Sequence, residues 1–265
     1  MPSNPFQRVL TRDGSTTLYS LKFGQHFHNP NGAIAESRHV FFEMNGIIES
    51  IQKKNRLTIA ETGFGTGLSL LLLCEYIDNL NCNAKVDYYA VEGYPITPEQ
   101  ARGLNYNVYL NLPELVTTYP DWFKSVKEGG NEIAIMPNLT LHLYYGTLET
   151  WNLESKSIDY FFHDPFSVEV NPEGWSREYF ERMLNAARYD AILTTYAAAT
   201  RIRAALAAAG WQVASAIGAL GKREMTLASP DASQLSGVKL LSTARLKERF
   251  DQDFGGSGRS SSDQK

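Results

Sequence analysis

LTIAETGFGTGLSLLLLCEYI, residues 57–77, reads as a strand, a glycine turn and a helix in immediate succession. Leu57–Glu61 is an apolar run of strand length, Gly63, Gly65 and Gly67 follow at every second position, and Leu68–Ile77 has the apolar density of a buried helix. Glycine at alternate positions lets the backbone turn sharply and brings a ligand against main-chain amides with no side chain between them. Such a unit opens a doubly wound α/β sheet and implies a nucleoside pocket. A dinucleotide fingerprint needs glycine at position 68, which is leucine, and no Lys-Ser/Thr pair follows as in a P-loop. The turn is therefore poorly suited to a pyrophosphate.

Outward from this unit, short apolar runs alternate with helical patterns, as parallel strands joined by crossover helices require. Strands are expected at Leu57–Glu61, Val86–Glu92, Leu139–Tyr145, Ile158–His163, Ala191–Tyr196, Trp211–Ala216 and Glu224–Ala228. Helices are expected at Leu68–Ile77, at Thr97–Asn105 with Pro98 in its first position, at Ser176–Ala187 behind a Ser cap, and at Ala199–Ala209 before Gly210. The first 56 residues form a cap segment, with strand character in TTLYSLKFGQHF, a turn at Asn29–Gly32 and a helix from Ile34 to Gln52. Residues 57–230 are the main domain and 231–265 an extension whose tail from 255 is expected to be disordered. The stretch between Asn105 and Asn138 is expected as a helical excursion near the open edge of the site.

The composition is 43% hydrophobic and 20% charged, which excludes disorder and fibres. A net charge of −4 excludes a uniformly basic nucleic-acid binder, so any polyanion must meet a local patch. Cys74 and Cys82 have no pairing or metal-ligand spacing, so neither a disulfide framework nor a metal is expected. No stretch has the length of a signal peptide or a membrane span, and the expected location is the cytoplasm.

With phosphate cradles set aside, Gly63-Phe64-Gly65-Thr66-Gly67 matches the G-x-G-x-G of S-adenosylmethionine-dependent methyltransferases, whose cofactor has no phosphate to hold. The alternative is a turn that only packs helix on strand. Glu92, at the end of the second strand, can accept both hydroxyls of a ribose. Ile158–His163 delivers Asp164 to the carboxyl end of a strand, where it can take a proton from an acceptor amine or orient it, with Phe166 as a wall. An Asp-Pro turn is the alternative reading. His163 is expected on the opposite face from Asp164 with a structural role. Lys222 and Arg223 precede the last strand and could hold phosphates, with a solvated loop as the alternative reading. Arg201, Arg203, Lys53, Lys54 and Arg56 read as solubilising faces, while Tyr19, Phe27, His28 and Arg38 are candidates for a base pocket, with core packing as the commoner role of scattered aromatics.

ETGFGTGLSLLLL, VEGYPIT, DYFFHDPFSVEVNPEGW, GKREM and the earlier FGQHFHNPNGAIAESRHVFFE resemble, in order and spacing, the methyltransferase domain of the MnmC tRNA-modification enzymes over roughly Thr17 to Ala228. The resemblance implies a class I methyltransferase fold, a Rossmann-like, mostly parallel seven-stranded sheet with an N-terminal cap. It also implies methylation of the amine of 5-aminomethyl-2-thiouridine at the tRNA wobble position, giving the methylaminomethyl form. Carried over by position, Glu61, Gly63, Gly65, Gly67, Glu92, Gly146, Thr147 and Asp164 would contact the cofactor, Asp164 the acceptor amine, and Phe166, Lys222, Arg223 and Arg38 the tRNA. The family's flavin oxidase has no counterpart here, so the resemblance implies a stand-alone transferase, with a separate oxidase or an upstream tRNA-modifying complex as partner; the oligomeric state is open. Pro165 stands where the family has glycine, and Gly146-Thr147 where Gly-Asp is usual. Another amine substrate, or a non-catalytic scaffold of the same fold, remains an alternative. An acidic surface around Asp164 would favour a small amine over RNA.

Overall fold

A computed structural model describes residues 5–254 of the chain; the tail from 255 lies outside the described residues. The N-terminal segment begins with an antiparallel sheet of β1 (Phe6–Leu10), β2 (Thr16–Ser20) and β3 (Gln25–His26). It continues through α1 (Ala33–Arg38), a π turn (His39–Glu43) and α2 (Ile47–Lys53). Then come β4 (Arg56–Thr62), α3 (Leu68–Asn79), β5 (Lys85–Glu92), α4 (Pro98–Arg102), α5 (Pro113–Thr118), β6 (Gly129–Met136), β7 (Leu139–Tyr145) and β8 (Ile158–His163). The last third holds α6 (Arg177–Ala186), β9 (Ala187–Thr195), α7 (Thr200–Ala208), β10 (Gln212–Ile217), β11 (Glu224–Ser229), β12 (Lys239–Leu240) and α8 (Thr243–Phe254).

Among the described residues the large sheet has nine strands in the order β12-β10-β11-β9-β8-β4-β5-β7-β6, not the expected seven. Its centre, β9-β8-β4-β5-β7, is parallel, and the strand order reverses between β4 and β8. Ligands in open α/β sheets bind at such a switch point, outside the carboxyl ends of the strands. The two additions to the expected seven, β6 and β12, are edge strands. β6 pairs antiparallel with β7 through a Pro137-Asn138 hairpin and has one face in solvent, so its alternating pattern lacks the apolar run of a buried strand.

The segment between Asn105 and Asn138 is thus only partly helical, and none of it lines the cleft described below. Its aromatic residues pack beneath the glycine turn: Tyr119 Oη donates to the Thr66 carbonyl at 2.6 Å, and Tyr106 Oη lies 2.8 Å from Thr66 Oγ1. The helix expected over 34–52 is split, because Val40, Phe41 and Phe42 are all buried and the backbone widens into the π turn. Asn45 and Gly46 (φ +72°) then break it. α4 starts as expected at Thr97, which forms a capping box with Gln100.

Several basic residues expected on solvated faces are structural. Lys54 pairs with Asp159 at 2.8 Å and Arg56 with Asp87 at 2.8 Å. Arg203, buried on α7, donates to Thr226 Oγ1 (3.0 Å), Glu224 Oε2 (2.7 Å), Ser215 Oγ (3.2 Å) and the Met225 carbonyl (3.1 Å), fastening the helix to the β10–β11 hairpin. No helix among the described residues is long and apolar enough to cross a membrane. Removing the guanidinium leaves its buried partners unsatisfied, so Arg203→Met is expected to cost about 2–4 kcal/mol in urea unfolding at an unchanged m-value. A loss below about 0.5 kcal/mol would make the network incidental.

Candidate active site

β4 and β8 are parallel neighbours with Thr62 opposite His163. Asp164 N–H donates to the Thr62 carbonyl at 3.0 Å, which ties the exit of β8 to the entrance of the glycine turn. A Cβ on Gly63 would lie 2.8 Å from the Asp164 carbonyl oxygen, and its φ of +87° also requires glycine. At Gly65 (φ +55°) a Cβ would sit 3.1 Å from the Phe27 ring.

These strand ends open onto a cleft of about 680 Å³. Glu92 reaches it from β5, its carboxylate accepting from Gly65 N–H at 2.8 Å and Tyr94 N–H at 2.7 Å. Burial raises its pKa, and these backbone donors oppose the rise. Glu61 lies deeper, 2% exposed, and its Oε2 has no hydrogen bond. Burial pushes its pKa up to about 8, against Tyr88 and Ser69, which favour the ionised form. Asp164 faces the cleft on one side. Surrounded by protein, and with Glu36 and Glu61 nearby, its carboxyl is held well above the usual carboxylate range; Lys222 counters this.

Glu61, Gly63, Gly65, Glu92, Gly146, Thr147, Asp164, Phe166 and Lys222 therefore meet in one cleft. Other expected contacts lie elsewhere. Gly67 (φ +74°) is the N-cap of α3 and faces the Phe64 ring. Arg38 is drawn to the flank by an ion pair with Glu75 and lies over the Tyr76 ring. Arg223 lines an adjoining groove of about 670 Å³ together with Arg201, and Lys222 and Tyr196 line both cavities. Phe27 and His28 reach the cleft, whereas Tyr19 packs on His26 and does not line it. His163 is fully buried on the other face, 4.6 Å from the Trp175 ring and against Tyr179 and Phe180, and burial holds its pKa down at about 3.

The N-terminal hairpin closes the cleft. Gln25 is latched to the loop after β8, its Nε2 donating to Ser167 Oγ at 2.6 Å and its Oε1 accepting from Ser167 N–H at 3.0 Å. Phe27 and Phe23 pack on Phe166 at 5.3 and 5.2 Å. Glu36, Asn29, Tyr94 and Tyr196 also line the cleft, and nothing in the sequence marks them as site residues. AESR at 35–38 reads as any amphipathic helix start, and only the docking of α1 over the strand ends gives Glu36 a place there.

Residues 113–231 match a family described as S-adenosyl-L-methionine-dependent methyltransferase. The chain is 33% identical over 234 residues to the tRNA 5-methylaminomethyl-2-thiouridine biosynthesis bifunctional protein MnmC of Cupriavidus metallidurans, covering 84% of this chain and 34% of that protein. It is 31% identical over 216 residues to the same-named protein of Ralstonia nicotianae, covering 80% and 33%. The chain thus spans about a third of the length of these relatives. Among solved structures, MnmC2 from Aquifex aeolicus superposes with a TM-score of 0.71 at 22% identity, covering 94% of this chain and 77% of that one. The fold is that of the S-adenosylmethionine-dependent methyltransferases, and S-adenosyl-L-methionine is the cofactor of the matched family.

Glu61 allows a test of the electrostatics. Below the unfolded carboxyl's pKa of about 4.3, both folded and unfolded chains carry the proton. Between there and about pH 8 the unfolded chain releases it and the folded chain keeps it, so stability falls with rising pH. Glu61→Gln removes this contribution. The unfolding free energy of the native chain is therefore expected to fall between pH 5 and 8 relative to the variant, by on the order of several kcal/mol at most, and its thermal midpoint to fall with it. Parallel pH profiles would show that Glu61 is ionised throughout.

Proposed function

We propose that the chain is an S-adenosylmethionine-dependent N-methyltransferase that acts in the cytoplasm on the amine of 5-aminomethyl-2-thiouridine in tRNA, giving the methylaminomethyl form. The observation that carries this reading is the seam at Gly63 and Asp164, where a cofactor turn without cations and a cleft-facing carboxyl share one strand junction. The printed role of the relatives in 5-methylaminomethyl-2-thiouridine biosynthesis supports the choice of substrate.

The residues present fit S-adenosylmethionine. Glu92 has lone pairs left for a ribose diol after its two backbone bonds. Glu61 Oε2 is a buried acceptor without a partner, suited to an ammonium group. Lys222 is the only lysine or arginine among the described lining residues, so the lining offers a phosphate a single cation. When bound, the cofactor supplies a methyl group on a positively charged sulfur.

The chain's own groups prepare the acceptor. An alkylamine is mostly cationic at neutral pH, and only its lone pair reacts. Asp164 takes the proton, and a carboxylate whose pKa is raised holds that proton better than an ordinary aspartate would. Phe166, fixed by Phe23, Phe27 and the Trp175 Nε1 hydrogen bond to its carbonyl (2.7 Å), walls the base. Orientation and exclusion of water then supply most of the rate. The aminomethyl group must already be present on the uridine, supplied by a flavin-dependent oxidase or an upstream tRNA-modifying complex.

One observation favours a second reading, a small-molecule amine: the carboxyls of Glu36 and Asp164 both line the cleft, near enough to interact. These lie inside the cleft, whereas exposed Arg223 and half-exposed Lys222 stand at its rim, which keeps RNA the first choice. Transfer of labelled methyl to tRNA bearing 5-aminomethyl-2-thiouridine decides between them. With that substrate Asp164→Asn is expected to lower kcat by about 10²–10³-fold. Glu92→Ala is expected to weaken cofactor binding by about 10–100-fold in calorimetry while kcat at saturating cofactor changes little. Full activity of Asp164→Asn would remove the proton-acceptor role. Methylation of small amines in preference to tRNA would replace the substrate.

A further inference from the structure

A single proton acceptor needs one carboxyl, and a second, Glu36, stands near Asp164 in the same cleft. Asp164 comes from a strand end, whereas Glu36 comes from α1 and is held from two sides. Its Oε1 accepts from Asn29 Nδ2 at 2.9 Å and from Lys222 Nζ at 2.7 Å. The two partners differ in kind. Asn29 belongs to the connection between β3 and α1 and shares the cleft wall, while Lys222 reaches in from the turn at residues 218–223, where Leu220 (φ +49°) and Gly221 (φ +81°) are left-handed. The Glu36 side chain is 13% exposed and that of Lys222 is 42% exposed, so Glu36 is the fixed partner and Lys222 the removable one. Lys222 also lies 5.2 Å from the centre of the Tyr196 ring, on the wall between the cleft and the adjoining groove that holds Arg223.

A lysine ammonium is a close chemical mimic of a primary alkylammonium: both are compact cations with three N–H donors. From this juxtaposition, and resting on the function proposed above, we infer that Glu36 is the seat of the substrate's ammonium group, and that Lys222 occupies this seat until the substrate displaces it. The displaced ammonium turns toward the adjoining groove, where it joins Arg223 against the phosphates that flank the target nucleotide. Recognition and proton removal then fall to different carboxyls, Glu36 selecting the cation and Asp164 taking its proton. The exchange also makes the seat selective. A free nucleoside must displace Lys222 with nothing to reward the lysine, whereas an RNA offers it a phosphate in return.

Two anticodon stem–loops test this, one carrying 5-aminomethyl-2-thiouridine and one carrying the neutral 5-hydroxymethyl analogue, each titrated by fluorescence anisotropy with S-adenosylhomocysteine present. The native chain is expected to bind the amine RNA about tenfold more tightly than the hydroxymethyl RNA, the size of one charge-assisted hydrogen bond. Glu36→Gln keeps an acceptor for Asn29 and is expected to bind both RNAs alike, at the weaker value, with an unchanged thermal midpoint. A merely structural Glu36 would instead weaken both equally and keep the tenfold ratio, and that result overturns the assignment. Lys222→Met is expected to tighten binding of the free aminomethyl nucleoside and to weaken binding of both RNAs. Unimproved nucleoside binding refutes the displacement. The parent reading is separable, because methyl transfer to the amine RNA without discrimination by charge sinks this inference alone. Absence of both transfer and RNA binding removes the two together.

Discussion

Everything in the site hangs on the parallel pairing of β4 with β8. The register from Ile59↔Tyr160 to Thr62↔His163 sets the two exits side by side, and the Asp164 amide extends the ladder one step beyond the last strand residue. Because side chains alternate along a strand, this register sends His163 into the far layer against Trp175 and Phe180 and leaves Asp164 for the cleft. Had β8 slipped by one residue, the imidazole would face the cleft and the carboxyl would enter an aromatic core, where an unpaired charge is very costly. The same pairing forces glycine at position 63, since the Asp164 carbonyl already occupies the space of a Cβ.

A glycine turn is the most flexible backbone a chain can have, yet a cofactor cradle must not move. Three elements fix it. From below, Tyr106 and Tyr119 hold Thr66 by its hydroxyl and carbonyl. From the side, Glu92 fastens the Gly65 amide. From above, Phe27 lies on Gly65, and the Gln25–Ser167 latch ties the hairpin down. The entropy of ordering the turn is thus met on folding, not on binding, and this preorganisation favours both affinity and rate. It also assigns a purpose to the aromatic segment around Tyr119, which stands far from any reacting atom.

How much of this could be read in the sequence follows from how local each interaction is. β7 and β8 were legible to the residue, because β8, buried at every position, is a nearly continuous apolar run, while β7 alternates leucines with other residues at the strand period. Glu61, Glu92 and Asp164 could be found because strand ends are local features and the sheet topology places all of them at one edge. β6 was illegible because an edge strand needs only one apolar face, and GGNEIAIM carries that alternation too weakly to stand out. Arg38, Arg203 and Glu36 are a different kind of failure. Each is a long polar side chain on a helix whose partner is set by tertiary docking: Glu75 for Arg38, the β10–β11 hairpin for Arg203, and Lys222, 186 positions away, for Glu36. Helical periodicity says which face a residue takes, not which charge waits across from it.

The net charge of −4 shows the same limit from the side of electrostatics. A sum over the chain counts every carboxylate as surface, but many are spent inside: Asp159 on Lys54, Asp87 on Arg56 and Glu75 on Arg38. These pairs withdraw cations and anions together, so what an approaching polyanion meets is the remainder. Burial withdraws more, since Glu61 is held toward its neutral form and projects little negative field. Near the cleft, Arg223 is exposed on the adjoining groove, and the half-exposed Lys222 beside it is paired with Glu36. A weakly acidic protein can therefore hold cations beside an acidic pocket. An aminomethylated nucleotide in RNA, anionic at its phosphates and cationic at its amine, carries the complementary pattern within a single residue.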